Sequence, residues 1–123
     1  MVNKQDFFNT YSNFEKSILI EIIDIFKDEA PEKVRKLYDD AAAKNLESLR
    51  FDAHSLKGTI GSFCAPKAWA MAKDFETKIT QILEKNGEGF SEDQIIMKIG
   101  ELEEAVKIMI SQLKEIKKEI IQQ

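Results

Sequence analysis

Apolar residues recur at steps of three and four along most of the chain, and the alternation expected of strands is nearly absent. The first such stretch, Ile18, Leu19, Ile22, Ile23 and Phe26, follows Ser12 and Glu15, which have the spacing of a capping box. It predicts a helix over about 13–28, with a short helical turn before it around Asp6–Tyr11. Pro31 suits the first turn of a second helix, 31–43, whose apolar stripe is Val34, Leu37, Tyr38 and Ala41. Asn45 reads as the N-cap of a third helix over 46–63. Pro66 opens a fourth, 66–85, and the two glycines within Asn86–Phe90 end it. Ser91 and Gln94 form a second capping box, starting a last helix over 91–121. That helix keeps apolar residues at 95, 99, 102, 106, 109, 113, 116 and 120.

Short connections favour antiparallel neighbours. The expected fold is all-α: an antiparallel up-and-down four-helix bundle with an additional N-terminal helical segment, one domain over residues 1–123. The near-heptad seam of the last helix could instead mark a coiled-coil dimer. A bundle core is the better reading, because the other helices need a surface to pack on, so a monomer is expected. Gly100 interrupts this helix at a cost of about 1 kcal/mol relative to alanine. Close approach of a neighbouring helix would account for it.

Composition narrows the function classes. Hydrophobic residues make up 43% and charged residues 33%, the profile of a globular domain, and only two prolines and five glycines interrupt the helical pattern. The net charge of -4, with no basic block, gives no electrostatic footprint for nucleic acid. No charged-then-apolar leader opens the chain, and its longest apolar cluster, Ile18–Phe26, is broken by Glu21 and Asp24, so no membrane association is expected. Cys64 is the single cysteine, which excludes an intrachain disulfide and fits a reduced compartment, the cytoplasm. One histidine and one cysteine make a zinc site improbable, and no metal or cofactor is expected. No phosphate-cradling glycine loop, kinase nucleotide motif or nucleophile elbow is present. A chain of this kind has no evident means of drawing phosphate from ATP by itself.

The third helix is where chemistry becomes legible. Leu46, Leu49, Ala53, Leu56, Ile60 and Phe63 form its core face, and His54 lies about 130° from the centre of that stripe. A histidine there is a boundary or solvent-facing residue. Its own face is shared by Arg50, Lys57, Gly58 and Gly61, with Phe51 and Ser62 flanking it. Two glycines inside a helix cost about 2 kcal/mol together relative to alanine, so something should offset them. Their effect is a bare patch beside the imidazole, open to a large partner. Arg50 and Lys57 place two cations within a turn of it, where they could hold phosphoryl oxygens. A neutral imidazole is a competent nucleophile. By itself, a basic spot on a solvated helix would be unremarked.

The string Ala53-His54-Ser55-Leu56-Lys57-Gly58 resembles the signature of the histidine-phosphotransfer (Hpt) domains, intermediates of two-component phosphorelays. The resemblance extends upstream through Ile25–Pro31 and Leu49, and downstream through Gly61, Phe63 and Phe75-Glu76, covering about residues 18–80. It implies a four-helix bundle in which His54 is the phosphoacceptor, Lys57 its electrostatic partner and Gly58 the residue permitting access. Glu76 falls where the family often has a polar residue on the neighbouring helix able to accept a hydrogen bond from the imidazole; an ordinary surface glutamate is the competing reading. An exposed Phe51, with Ser62, would suit receiver docking. Family members usually have glycine where this chain has Cys64, which implies a slightly altered helix end; a packed, unreactive thiol is expected there.

Partners implied are response-regulator receiver domains and a sensor histidine kinase of hybrid type. The divalent cation that such transfer needs would sit in the receiver's acidic pocket. A close variant is the phosphorylatable domain of a chemotaxis-type kinase, although the start at Met1 without a linker favours a stand-alone protein. From another class, the chain could be a helical interaction module that binds receivers, or itself, without carrying phosphate.

Overall fold

A computed structural model describes all residues, 1–123, as five helices without a strand. These are α1 (Lys4–Thr10), α2 (Lys16–Ala42), α3 (Leu46–Gly61), α4 (Pro66–Glu84) and α5 (Glu92–Gln122). Three starts follow from side-chain caps. Asn3 accepts from the Asp6 amide, Asn45 from that of Ser48 and Ser91 from that of Gln94. Each satisfies a backbone donor that a helix N-terminus leaves unpaired. Pro66, at the first position of α4, has no amide hydrogen to satisfy.

The N-terminal half departs from expectation. Residues 13–28 and 31–43 are not two helices, because α2 runs through Pro31 for 27 residues. Proline inside a helix costs about 3 kcal/mol through a lost hydrogen bond and a clash with the preceding turn. Against that stands an unbroken apolar stripe, Leu19, Ile23, Phe26, Ala30, Val34, Leu37 and Ala41, every member buried. Burying one large apolar side chain is worth about 1.5–3 kcal/mol, so the stripe outweighs the proline. The first capping box is also corrected. Glu15 occupies the N-cap of α2 without a side-chain bond, and Ser12 lies in the turn after α1. The short turn expected near Asp6 is a seven-residue helix. Other ends move by one or two residues, as in α3, which stops at Gly61 instead of 63.

Cross-links between helices set the antiparallel register. Between α2 and α3, Lys33 Nζ donates to Ser55 Oγ (2.8 Å) and Ser48 Oγ to Asp40 Oδ1 (3.0 Å). Between α2 and α5, Lys117 Nζ donates to Asp24 Oδ1 (2.8 Å) and Tyr38 Oη to Glu103 Oε1 (3.2 Å). Numbers rise on one helix as they fall on its neighbour. α4 closes the ring between α3 and α5, and the result is an up-and-down bundle. Its core is 28 buried residues, none polar. The near-heptad residues of α5, Ile95 through Ile120, are buried within the same chain, so the seam serves the bundle. A Cβ at Gly100 would lie 3.7 Å from Tyr38 Oη, an ordinary contact, so close helix packing does not require that glycine.

α1 is tied down across the end of α3. The Asn3 amide donates to the Cys64 carbonyl (2.7 Å) and Tyr11 Oη to the Ser62 carbonyl (2.6 Å), while Phe7 is fully buried against Phe63. No helix is long and apolar enough to cross a membrane.

One polar feature between α2 and α3 works against stability. Asp40 Oδ2 is buried with no donor to accept from. Burial, and then the hydrogen bond that the protonated form makes to Asp52, push the Asp40 carboxyl up to about 6, with the Ser48 hydroxyl pulling the other way. An unfolded aspartate titrates near 4. The folded state therefore binds this proton more tightly, and its contribution to stability is present below pH ~4 and lost as pH rises past ~6. Asp40→Asn removes the charge at similar shape. It should stabilise the fold by about 1–2 kcal/mol at pH 8 and by much less at pH 4, as measured by urea unfolding at both values. Equal effects at the two pH values would contradict the raised carboxyl.

Candidate functional site

α3 turns Leu49, Ala53, Leu56 and Ile60 into the core, which leaves its opposite side to solvent. The His54 side chain stands there, 69% exposed. α4 runs antiparallel beside it with Ala72, Phe75 and Ile79 buried. That stripe fixes the rotation of α4 and aims Glu76, the residue after Phe75, at α3. Glu76 Oε1 lies 2.9 Å from His54 Nδ1 and Oε2 lies 2.7 Å from Lys57 Nζ. One carboxylate thus meets the imidazole with one oxygen and the ammonium with the other.

Burial alone would push the Glu76 carboxyl up. The Lys57 ammonium and the His54 ring N–H outweigh it and hold the carboxyl below its usual range. Glu76 is therefore an ionised acceptor near neutral pH, and Nδ1 must carry the proton of a neutral ring. Nε2 is left with its lone pair on a ring that faces solvent. Such a nitrogen can attack an electrophile brought from outside, and the carboxylate behind the ring favours the positive charge the ring would gain.

The remaining candidates separate. Gly58 lies one turn from His54, and a Cβ there would meet nothing within 4 Å. Gly61 is different: a Cβ would sit 3.3 Å from Trp69 Cδ1, so this glycine makes room for an indole on α4. Arg50 is exposed on the same face but is not brought into contact with His54 or Glu76; it borders a shallow groove with Thr80 and Glu84. Phe51 is 74% exposed. Ser62 caps α3, and its carbonyl holds Tyr11, which gives it a structural task.

One residue of this face was not read from the sequence. Lys73, one turn before Glu76, lines a groove with Lys57, Glu76, Thr77 and Thr80. Only its spacing from Glu76 could have pointed to it. At Cys64, where an altered helix end was expected, φ is +55°, a left-handed conformation that glycine adopts without strain and other residues at about 1–2 kcal/mol. Its thiol is half-buried, 3.6 Å from Thr10 Oγ1. No three His, Cys, Asp or Glu side chains are grouped to hold a metal ion.

The model of the Hpt domain family matches residues 21–116 of the chain. Neither a curated protein nor a solved structure matches it.

Because open space surrounds Gly58, packing gives no reason for a glycine in mid-helix. Gly58→Ala should raise stability by about 1 kcal/mol, a few degrees in a thermal melt. A lower melting temperature would mean that the bare face serves the fold.

Proposed function

The chain belongs to the Hpt domain family, and on that premise we propose that His54 is the phosphoacceptor of a phosphorelay. The family implies histidine phosphotransfer in two-component signalling, with carriers that are not kinases. Support within the chain comes above all from the Glu76–His54 contact at 2.9 Å, which puts the proton on Nδ1 and the lone pair on Nε2. In the proposed step Nε2 attacks the phosphorus of a receiver's aspartyl phosphate. The P–Nε2 bond forms as the P–O bond to the aspartyl carboxylate breaks, and that carboxylate leaves with the bonding pair. Nδ1 keeps its proton, so the ring gains positive charge, which Glu76 offsets at hydrogen-bond distance. Transfer onward to a second receiver is the same step reversed.

The other residues take supporting roles. Lys57 offers a charge to the phosphoryl oxygens, and Gly58 leaves the approach unobstructed. Arg50, outside contact distance, contributes attraction for an acidic partner instead of a direct bond. Partners are a hybrid sensor kinase and receiver domains, and the receiver's own acidic pocket supplies the divalent cation. The protein works as a monomer, one domain over its length, in the cytoplasm with its receivers.

Incubation with phosphorylated receivers and Mg²⁺ tests this reading. Acid-labile label should appear on the wild type and be absent from His54→Gln. Glu76→Ala should slow transfer by about 10–100-fold, as loss of an orienting partner does elsewhere. A wild type that takes no label from any receiver would leave only the non-carrying interaction module.

A further inference from the structure

Residues beyond the phosphoacceptor turn suggest how a partner is held, an inference that rests on the His54 reading. A specific interface covers about 800 Å² on each partner, a disc of about 16 Å radius. Gly61 lies seven residues from His54, about 10 Å along α3. A receiver whose aspartate reaches His54 therefore covers the surface above Gly61. That surface is an indole. Trp69 reaches across from α4 and lies so close that a Cβ at 61 would be 3.3 Å from Cδ1 and 3.5 Å from Nε1. Lys73 Nζ stands 5.2 Å from its ring centroid, a cation–π contact. The ring is thus held on two sides, yet 38% of the residue is exposed.

We propose that Trp69, seated on Gly61 and flanked by Lys73, is the aromatic anchor on which the receiver docks, and that this pair helps select which receivers are served. A pre-placed aromatic ring loses little entropy on binding, which is why tryptophan is enriched at the centres of interfaces. Beside the indole lies a cleft of ≈ 410 Å³, lined by Asp6, Gly61, Cys64, Ala65, Pro66 and Trp69, that can accept a partner's side chain. Charge favours the same occupant. On a chain of net charge -4, the stretch between His54 and the indole carries Lys57 and Lys73, complementary to the acidic pocket around a receiver's phosphorylated aspartate.

Two phosphodonors separate docking from chemistry. Phosphoramidate is small: its P–N bond breaks, ammonia leaves, and the P–Nε2 bond forms without any protein surface. Phosphorylated receiver domains need the docking face. Trp69→Ala should raise KM for a phosphorylated receiver at least ten-fold, leave kcat within two-fold, and leave labelling by phosphoramidate unchanged. Lys73→Glu, at an exposed position, should raise KM in the same direction with a melting temperature like that of the wild type. Trp69 is the only tryptophan, so its emission in the wild type should shift when an unphosphorylated receiver binds. Unchanged KM in both variants, or emission indifferent to a receiver that does transfer phosphate, overturns the anchor while His54 stands. Absence of label from phosphoramidate and receivers alike overturns the phosphoacceptor reading itself, and the anchor with it.

Discussion

The functional face depends on how α4 is rotated against α3. Phe75 and Ile79 must point into a core with no polar member, and that requirement alone turns Glu76 towards His54. The carboxylate would be unfavourable in so sheltered a place without compensation. Lys57 and the imidazole supply it from α3, three residues apart on one side of the helix. Packing therefore sets the geometry, and the charge triad makes the packing tolerable. The same rotation carries Trp69, seven residues earlier on α4, over Gly61. One helix-to-helix setting thus orients the imidazole and roofs the surface beside it.

Departures from ideal structure fall into two kinds. Pro31 inside α2, the left-handed Cys64 beyond the end of α3 and the sheltered Asp40 at an inter-helix seam all weaken the fold, and the apolar stripes offset them. Gly58 has no such account. It sits in mid-helix with open space around it, so neither backbone conformation nor close approach demands it. A cost without a structural return, one turn from an exposed imidazole, is what a face kept clear for a partner would show.

The sequence was most legible where local signals agreed. Asn45, Pro66 and Ser91 mark helix starts that the structure keeps to within a residue, because cap chemistry and apolar spacing point to the same position. It was least legible at Pro31, where a strong local signal for a helix start conflicted with a stripe continuing through 30, 34 and 37. There, burial over many residues decided the matter. The outward position of His54 followed from angular spacing alone. The different meanings of Gly58 and Gly61 did not, since only the placement of α4 shows that one faces an indole and the other open space. The lack of contact between Arg50 and Glu76 is likewise a matter of tertiary geometry.

On the phosphoacceptor reading, the resting arrangement also indicates how the charges rearrange. Lys57 is committed to Glu76 before transfer, at 2.7 Å, with about a fifth of its side chain (22%) in solvent. A phosphoryl group brings nearly two negative charges to the neighbouring nitrogen, enough to draw the ammonium away. Glu76 does not follow, because the phosphorylated ring is more positive than the free one and its Nδ1–H becomes a stronger donor. The carboxylate then exchanges one cation for a tighter hold on another. Its compensation survives the transfer, and the lysine is released to the group that needs it.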